Sequence, residues 1–443
     1  MIMIIGFVLL VVLLIVGVPV LYCFAAVTIF LAAILGYTPL GLFPTMYGKL
    51  ANVVLLSIPL FIMAGGIMEH GKIGDALVNL IETILFKVKG CLALVTTVAC
   101  AVFGSICGSG AATLSCIGSI MLPKMRDRKY PMEFAAAIAC CSAPIGMLIP
   151  PSSIQIVVAW AANLSVLACF LSTVIPGIIL TTLLCVTSYF ILKKNPDIVT
   201  GVAAGQVISF ADKKAYFKLL GNRTKEAGPA LFMPVLILGG IYGGIMTPTE
   251  AAAVSVFYAI PVAVLIYKGI KMSEVKDVLI DTANTTGIVM VMCVMTMVMG
   301  QILTMERVPD MMLNFFTDIS QGNKIVVLIM INIFLVAIGM IMDDTCATML
   351  CTPLLMPLAI SFGISPYQMA AILGVNLGMG NVTPPTAPFL YMASQMANVN
   401  SAKVIKYVLI LIACAYVPTL ILTSYIPELA TFLPKLILGD KFI

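Results

Sequence analysis

The sequence predicts an all-α integral membrane protein built from two inverted-topology repeats. Each repeat has about five spans, one broken at a Pro-Pro pair, and a re-entrant helical hairpin. Three observations predict this: an apolar composition, a duplicated set of helix breaks, and a charge pattern that differs between the two hairpins. Of 443 residues, 61% are hydrophobic and 10% charged, with a mean hydropathy of +1.14. A soluble surface needs roughly 25% charged residues, so the solvent of this chain is a lipid bilayer. The net charge of +5 sits in short loops, as the positive-inside rule expects, and gives no support to nucleic-acid binding. Thirteen cysteines lie scattered among apolar residues with no CxxC pair, which reads as small apolar filling.

The duplication is read from the breaks. Ile149-Pro150-Pro151-Ser152-Ser153 and Thr383-Pro384-Pro385-Thr386 lie 234 residues apart, as do Pro123 and Pro357. Gly-Ser-Gly-Ala-Ala-Thr at 108–113 returns in degenerate form as Asp-Asp-Thr-Cys-Ala-Thr at 343–348. Gly65, Ile67, Ile73 and Asp75 match Gly300, Ile302, Val308 and Asp310 at an offset of 235.

About 20 apolar residues cross ~30 Å of hydrocarbon. Crossings are expected near 2–18, 20–37, 51–69, 131–163 and 166–192, then near 228–245, 249–267, 281–303, 366–398 and 404–425. Met1 to Val18 has no basic leader and reads as the first span rather than a cleavable signal. Residues 73–88 mix polar and apolar side chains at helical spacing, which suits a helix along the interface. The first repeat covers 1–192, with a hairpin at 91–123 and a broken helix at 131–163. A basic amphipathic connector at 193–227, expected on the cytoplasmic surface, leads to the second repeat at 228–443, with a hairpin at 325–362 and a broken helix at 366–398.

Charge gives the orientation. The first hairpin has Lys87 and Lys89 before it and Lys124, Arg126, Arg128 and Lys129 after it, so both ends belong on the inner side and the segment enters and leaves without crossing. The second hairpin has only Lys324 on one flank and no basic residue in 361–368, so it opens outward. An odd number of crossings per half inverts the second copy, and both termini are then expected on the outer, periplasmic side.

Broken helices leave backbone groups without partners inside the membrane, which is tolerated where protein, water or a ligand satisfies them. Carbonyl and hydroxyl oxygens suit a small hard cation, and exposed helix N-termini suit an anion. In the first half the candidates are Ser105, Ser109 and Thr113 at the tip, with Pro150, Ser152 and Ser153 at the break. In the second they are Asp343, Asp344, Thr345 and Thr348, with Asn381, Thr383 and Thr386. Carboxylates deep in an apolar stretch mark ion pathways, and one of Asp343 and Asp344 is expected to cap the following helix while the other lies nearer an ion. His70, the only histidine, stands beside Glu69 at the end of a span and reads as an interface residue. Glu250, after Thr247-Pro248-Thr249, reads as a helix cap. No His-Glu-x-x-His, Gly-x-Ser-x-Gly or Walker A pattern occurs, so enzymatic hydrolysis and direct ATP use have no visible machinery.

Phe103-Gly-Ser-Ile-Cys-Gly-Ser-Gly-Ala-Ala-Thr113, Gly118-Ser-Ile-Met-Leu-Pro123, Gly146-Met-Leu-Ile-Pro-Pro-Ser152, Thr247-Pro-Thr-Glu-Ala-Ala-Ala253 and Thr383-Pro-Pro-Thr386 resemble the large membrane (M, or DctM-type) subunit of tripartite ATP-independent periplasmic (TRAP) transporters. The resemblance covers nearly the whole chain. It implies an elevator-type, sodium-driven importer in the bacterial inner membrane that carries an organic acid such as a dicarboxylate or sialic acid. Its expected partners are a small four-helix membrane subunit, here a separate chain, and a periplasmic substrate-binding protein; no cofactor is expected beyond Na+ as coupling ion. The resemblance places the cation sites at Ser105, Gly108, Ser109, Gly146 and Pro150 and at Asp343, Asp344, Thr345, Gly380 and Thr383. Substrate is then expected near Ser109, Thr113, Ser152, Ser153, Thr348 and Thr386. A self-sufficient divalent-anion/sodium symporter shares the inverted hairpin design and is the alternative.

Overall fold

A computed structural model describes residues 2–193, 202–203, 206–207, 213–385 and 387–439. The first half runs α1 (Ile2–Ile15), α2 (Val20–Leu35), α3 (Pro39–Leu50), α4 (Ser57–His70), α5 (Ile73–Leu85), α6 (Cys91–Cys107), α7 (Gly110–Asp127), α8 (Met132–Ser142), α9 (Ile145–Leu148), α10 (Ser153–Ala161) and α11 (Val166–Leu192). Two-residue strands at Val202–Ala203 and Gln206–Val207 pair antiparallel in the connector. The second half runs α12 (Lys213–Tyr242), α13 (Pro248–Pro261), α14 (Val275–Met305), α15 (Val308–Ser320), α16 (Lys324–Ile341), α17 (Asp344–Ser361), α18 (Pro366–Gly380), α19 (Pro388–Ala397), α20 (Ser401–Leu411), α21 (Val417–Tyr425) and α22 (Glu428–Leu438). From α4 onward the order of the first half, with its hairpin and broken helix, returns from α14.

Among the described residues seven helices are long and apolar enough to cross a membrane, and an eighth forms if the bent pair Met132–Leu148 and Ser153–Ala161, at 44°, is one span. The expected crossings at 2–18 and 20–37 become helices of 14 and 16 residues, because Gly17 and Gly36 both adopt positive φ and end them. Both arms of the second hairpin, at 18 residues, are among the seven. The stretch 210–220 lies partly outside the described residues; from Lys213 it is helical and continuous with α12.

Helix α5, read from sequence as a helix along the interface, has protein on several sides. It is packed between α6, α7 and α12, with Ile73, Leu77, Val78 and Glu82 all fully buried. The physical reason is charge pairing: Glu82 accepts from Arg128 and from Lys124 at 3.3 Å, and the same ammonium donates to Asn79 at 2.8 Å. Asn79 and Glu82 of α5 therefore face the basic end of the first hairpin, while Asp75 is exposed.

The two halves interlock. Helix α10, beyond the first break, packs on α17 of the second hairpin, while α19, beyond the second break, packs on α7 of the first. Helices α4 and α14 pack on each other and flank this centre. At Gly104 and Gly146 the hairpin arm and the broken helix approach so closely that a Cβ on Gly104 would collide with the Gly146 Cα, and Gly339 and Gly380 repeat the crossing in the second half.

Candidate functional site

Each hairpin turns on a tight tip. Gly108 ends α6 with φ +63°, and an added Cβ there would stand 2.5 Å from the Pro151 carbonyl oxygen. Ser153 donates to the Gly108 carbonyl from its amide, at 3.3 Å, and from its hydroxyl, at 3.0 Å. The first tip and the first Pro-Pro break are thus joined directly. At the second tip Asp343 caps α17, its carboxylate accepting from the Thr345 amide at 3.1 Å, and Asp344 accepts from the same amide at 3.0 Å. Both Pro-Pro bonds are cis.

The tips open into one cavity of about 430 Å³. Of the sequence candidates, Ser109, Ser153, Asp343, Asp344 and Thr345 line it. The other described candidates are not among its lining residues. Thr113 donates to the Ser109 carbonyl at 2.7 Å, Thr348 to Asp344 at 2.6 Å, Thr383 to Met379 at 2.6 Å, Ser105 to Val102 at 2.6 Å and Ser152 to Met147 at 2.5 Å. Those hydroxyls are spent on backbone carbonyls of their own segments, a common habit of Ser and Thr. Gly146 and Gly380 are placed by packing, each against a glycine of the neighbouring hairpin arm. Gly108 and Pro150 are buried, and Thr386 lies outside the described residues. Near the second break Asn381 is 2% exposed, and its Oδ1 has no hydrogen-bond partner among the described residues. A buried amide oxygen of that kind suits a hard cation or a water.

The rest of the wall comes from the first hairpin's arms, with Cys107, Ala111, Ala112 and Ser115, and from residues outside the hairpins. Gly65, Gly66, Glu69 and His70 contribute from α4, and Val278, Asp281, Thr282 and Thr285 from α14. Phe389 of α19 reaches across to Gly110, where an added Cβ would stand 2.8 Å from its ring. Each α-helical set recurs at i, i+3 and i+4, the spacing of one helix face, but sequence spacing alone does not say which face meets the tips. His70, read from sequence as an interface residue at the end of a span, is the exposed last residue of α4 and also lines the cavity. Among the described lining residues there are four carboxylates, Glu69, Asp281, Asp343 and Asp344, and no lysine or arginine.

A second cavity of about 330 Å³ adjoins the first, sharing Glu69, Ser115 and Met392 with it. It adds Lys72 and Asp75 and follows α7 as far as Ile120.

The family model for the tripartite ATP-independent periplasmic transporter, DctM component, matches residues 7–429. The isethionate TRAP transporter permease protein DctMQ of Oleidesulfovibrio alaskensis is 35% identical over 95% of this chain and 64% of that relative, so the chain spans somewhat under two thirds of its length. The sialic acid TRAP transporter large permease protein SiaM of Vibrio cholerae is 32% identical over 89% of each chain. The C4-dicarboxylate TRAP transporter large permease protein DctM of the same organism is 32% identical over 90% of each. The YdaH transporter of Alcanivorax borkumensis superimposes with a TM-score of 0.61 over 86% of this chain and 87% of its own, at 14% identity, a likeness of fold. With a match from its first helix to its last and large-permease relatives aligned over most of their length, this multi-pass membrane chain belongs to the DctM component family of tripartite ATP-independent periplasmic transporters.

Proposed function

We propose that this chain is the transport subunit of a sodium-driven secondary importer that moves an organic acid across the bacterial inner membrane by an elevator mechanism. The observation that carries the reading is the shared cavity. It brings both hairpin tips together, with two carboxylates at one tip and, among the described residues, no basic side chain but an imidazole on its wall. An organic anion brought there alone would meet four carboxyl groups and is better carried with cations. The tip carboxylates Asp343 and Asp344 and the unpartnered Asn381 oxygen offer the hard oxygen donors that sodium takes.

In this reading the hairpins, α8–α10 and α18–α19 travel together with the ions and substrate, against a scaffold that includes α4 and α14. A small four-helix membrane subunit completes the scaffold, a periplasmic binding protein delivers the substrate, and both chain termini face the periplasm. The relatives' names point to isethionate, sialic acid and C4-dicarboxylates as the acids to try first.

The test is radiolabelled uptake into vesicles reconstituted with the small subunit and the binding protein, with the sodium gradient varied. Asp344→Ala or Ser109→Ala is expected to abolish sodium-dependent uptake while the protein stays folded. Undiminished uptake in both variants would overturn the site. Full uptake without the binding protein or the small subunit would instead favour a self-sufficient symporter.

A further inference from the structure

The cavity's polar lining is unbalanced, and its single exception is His70. It is the last residue of α4, it is exposed, and it is the one side chain among the described lining residues that can carry a positive charge. Its Nδ1 lies 2.8 Å from the Gly66 carbonyl oxygen, one turn back on the same helix. A carbonyl only accepts, so Nδ1 carries the hydrogen of that bond and the ring orientation is fixed. Nε2 has no hydrogen-bond partner among the described residues. Since Nδ1 already carries a hydrogen, Nε2 donates only from the doubly protonated ring.

The other side-chain donors on the wall are hydroxyls, all uncharged: Ser109, Ser115 and Thr345 have no hydrogen-bond acceptor among the described residues, and the rest are already committed. Thr282 and Thr285 give their hydrogens to the Val278 and Asp281 carbonyls at 2.8 and 3.0 Å. Ser153 gives its hydrogen to Gly108. Resting on the proposed carriage of an organic acid, we infer that His70 is the residue that recognises the acid group: its Nε2 donates to a carboxylate or sulfonate oxygen of the substrate. The tip carboxylates hold cations, and His70 is the one described lining side chain able to carry a positive charge. Because α4 is scaffold in this reading, His70 meets the substrate only when the moving tips stand beside it, so it sets affinity on one face of the membrane.

The complete transporter, reconstituted with its partners, provides the experiment. The probe is whichever of isethionate, N-acetylneuraminate and succinate the wild type accumulates. His70→Ala is expected to raise the substrate KM about tenfold or more, the loss of one charge-assisted hydrogen bond, with the sodium activation curve unmoved. His70→Asp raises it further, and His70→Lys recovers most of the affinity. KM is read with substrate presented from each side, and the rise is expected on one side only. In parallel, the acid stabilises purified wild type against heat but not His70→Ala, while sodium stabilises both.

An unchanged KM on both sides in His70→Ala and His70→Asp overturns the inference, as does a loss of sodium activation in step with substrate affinity. A fall in maximal rate alone, with KM unchanged, assigns His70 a structural role and also overturns it. Wild-type protein that neither accumulates nor is stabilised by any of the three acids would overturn the proposed function itself, a result distinct from failure at His70.

Discussion

Gly104 of α6 and Gly146 of α9 meet with almost no space between their backbones, and Gly339 and Gly380 meet in the same way 235 and 234 residues later. A Cβ on Gly146 would stand 2.6 Å from Thr113 Oγ1, and one on Gly380 2.5 Å from the Gly339 carbonyl carbon. Backbone cannot yield as a flexible side chain can. Gly104→Ala and Gly380→Ala are therefore expected to lose about 1–3 kcal/mol or more of stability from overpacking. Thermal unfolding in detergent measures it. Gly228→Ala in α12, where a Cβ meets nothing within 4 Å, is the control and is expected to be neutral or stabilising.

Glu82 is fully buried and holds both Lys124 and Arg128, tying α5 to the basic end of the first hairpin. Removing one member of such a cluster leaves buried charge uncompensated. Glu82→Ala is expected to cost about 3–5 kcal/mol, with Glu82→Gln less damaging because it keeps acceptor and shape. A melting temperature unchanged in Glu82→Ala would show that the cluster contributes nothing.

The Tyr37 hydroxyl donates to the Glu306 carboxylate at 2.7 Å, joining the end of α2 to the junction between α14 and α15. Arg307 at that junction has φ +54°, and Lys72, between α4 and α5, has φ +57° at the matching place in the first repeat. The counterpart of Glu306 there is Gly71, against which Gly269 packs backbone to backbone. Tyr37→Phe is expected to speed amide hydrogen exchange at residues 306–308 and to leave the Gly71–Lys72 junction unaffected. Equal protection in wild type and variant would remove the latch from consideration.

Asp343 and Asp344 share one amide, but only Asp343 has the position of an N-cap. Asp343→Ala is expected to lose about 1 kcal/mol of helix capping, and Asp343→Ser to recover most of it. Asp344→Ala is expected to keep the unfolding temperature closer to wild type and to lose sodium-dependent uptake. Comparing melting and uptake across the three variants separates the roles.

Much of the architecture was legible in the chain because its signals are local. Pro150-Pro151 and Pro384-Pro385 interrupt helices wherever they fall, Gly108-Ser109-Gly110 and Asp343-Asp344 turn them, and the apolar runs between are continuous. The Thr247–Glu250 capping box was equally readable, and its two reciprocal bonds are present at 2.7 and 3.3 Å. Less legible was what α5 packs against, because Lys124 and Arg128 meet Glu82 from another helix.

By itself the sequence determined the solvent, the duplication, the hairpin tips and the paired breaks, since composition, hydropathy and punctuation act along the chain. Only the tertiary structure decided what those tips face. His70, Glu69 and Asp281 enter the cavity because α4 and α14 are rotated to present that face, while Gly146 and Gly380 are set by helix crossings and the hydroxyls of Thr113, Thr348 and Thr383 turn back to their own carbonyls. Helix rotation and crossing follow from side chains packed across elements far apart in sequence, so no local pattern contains them.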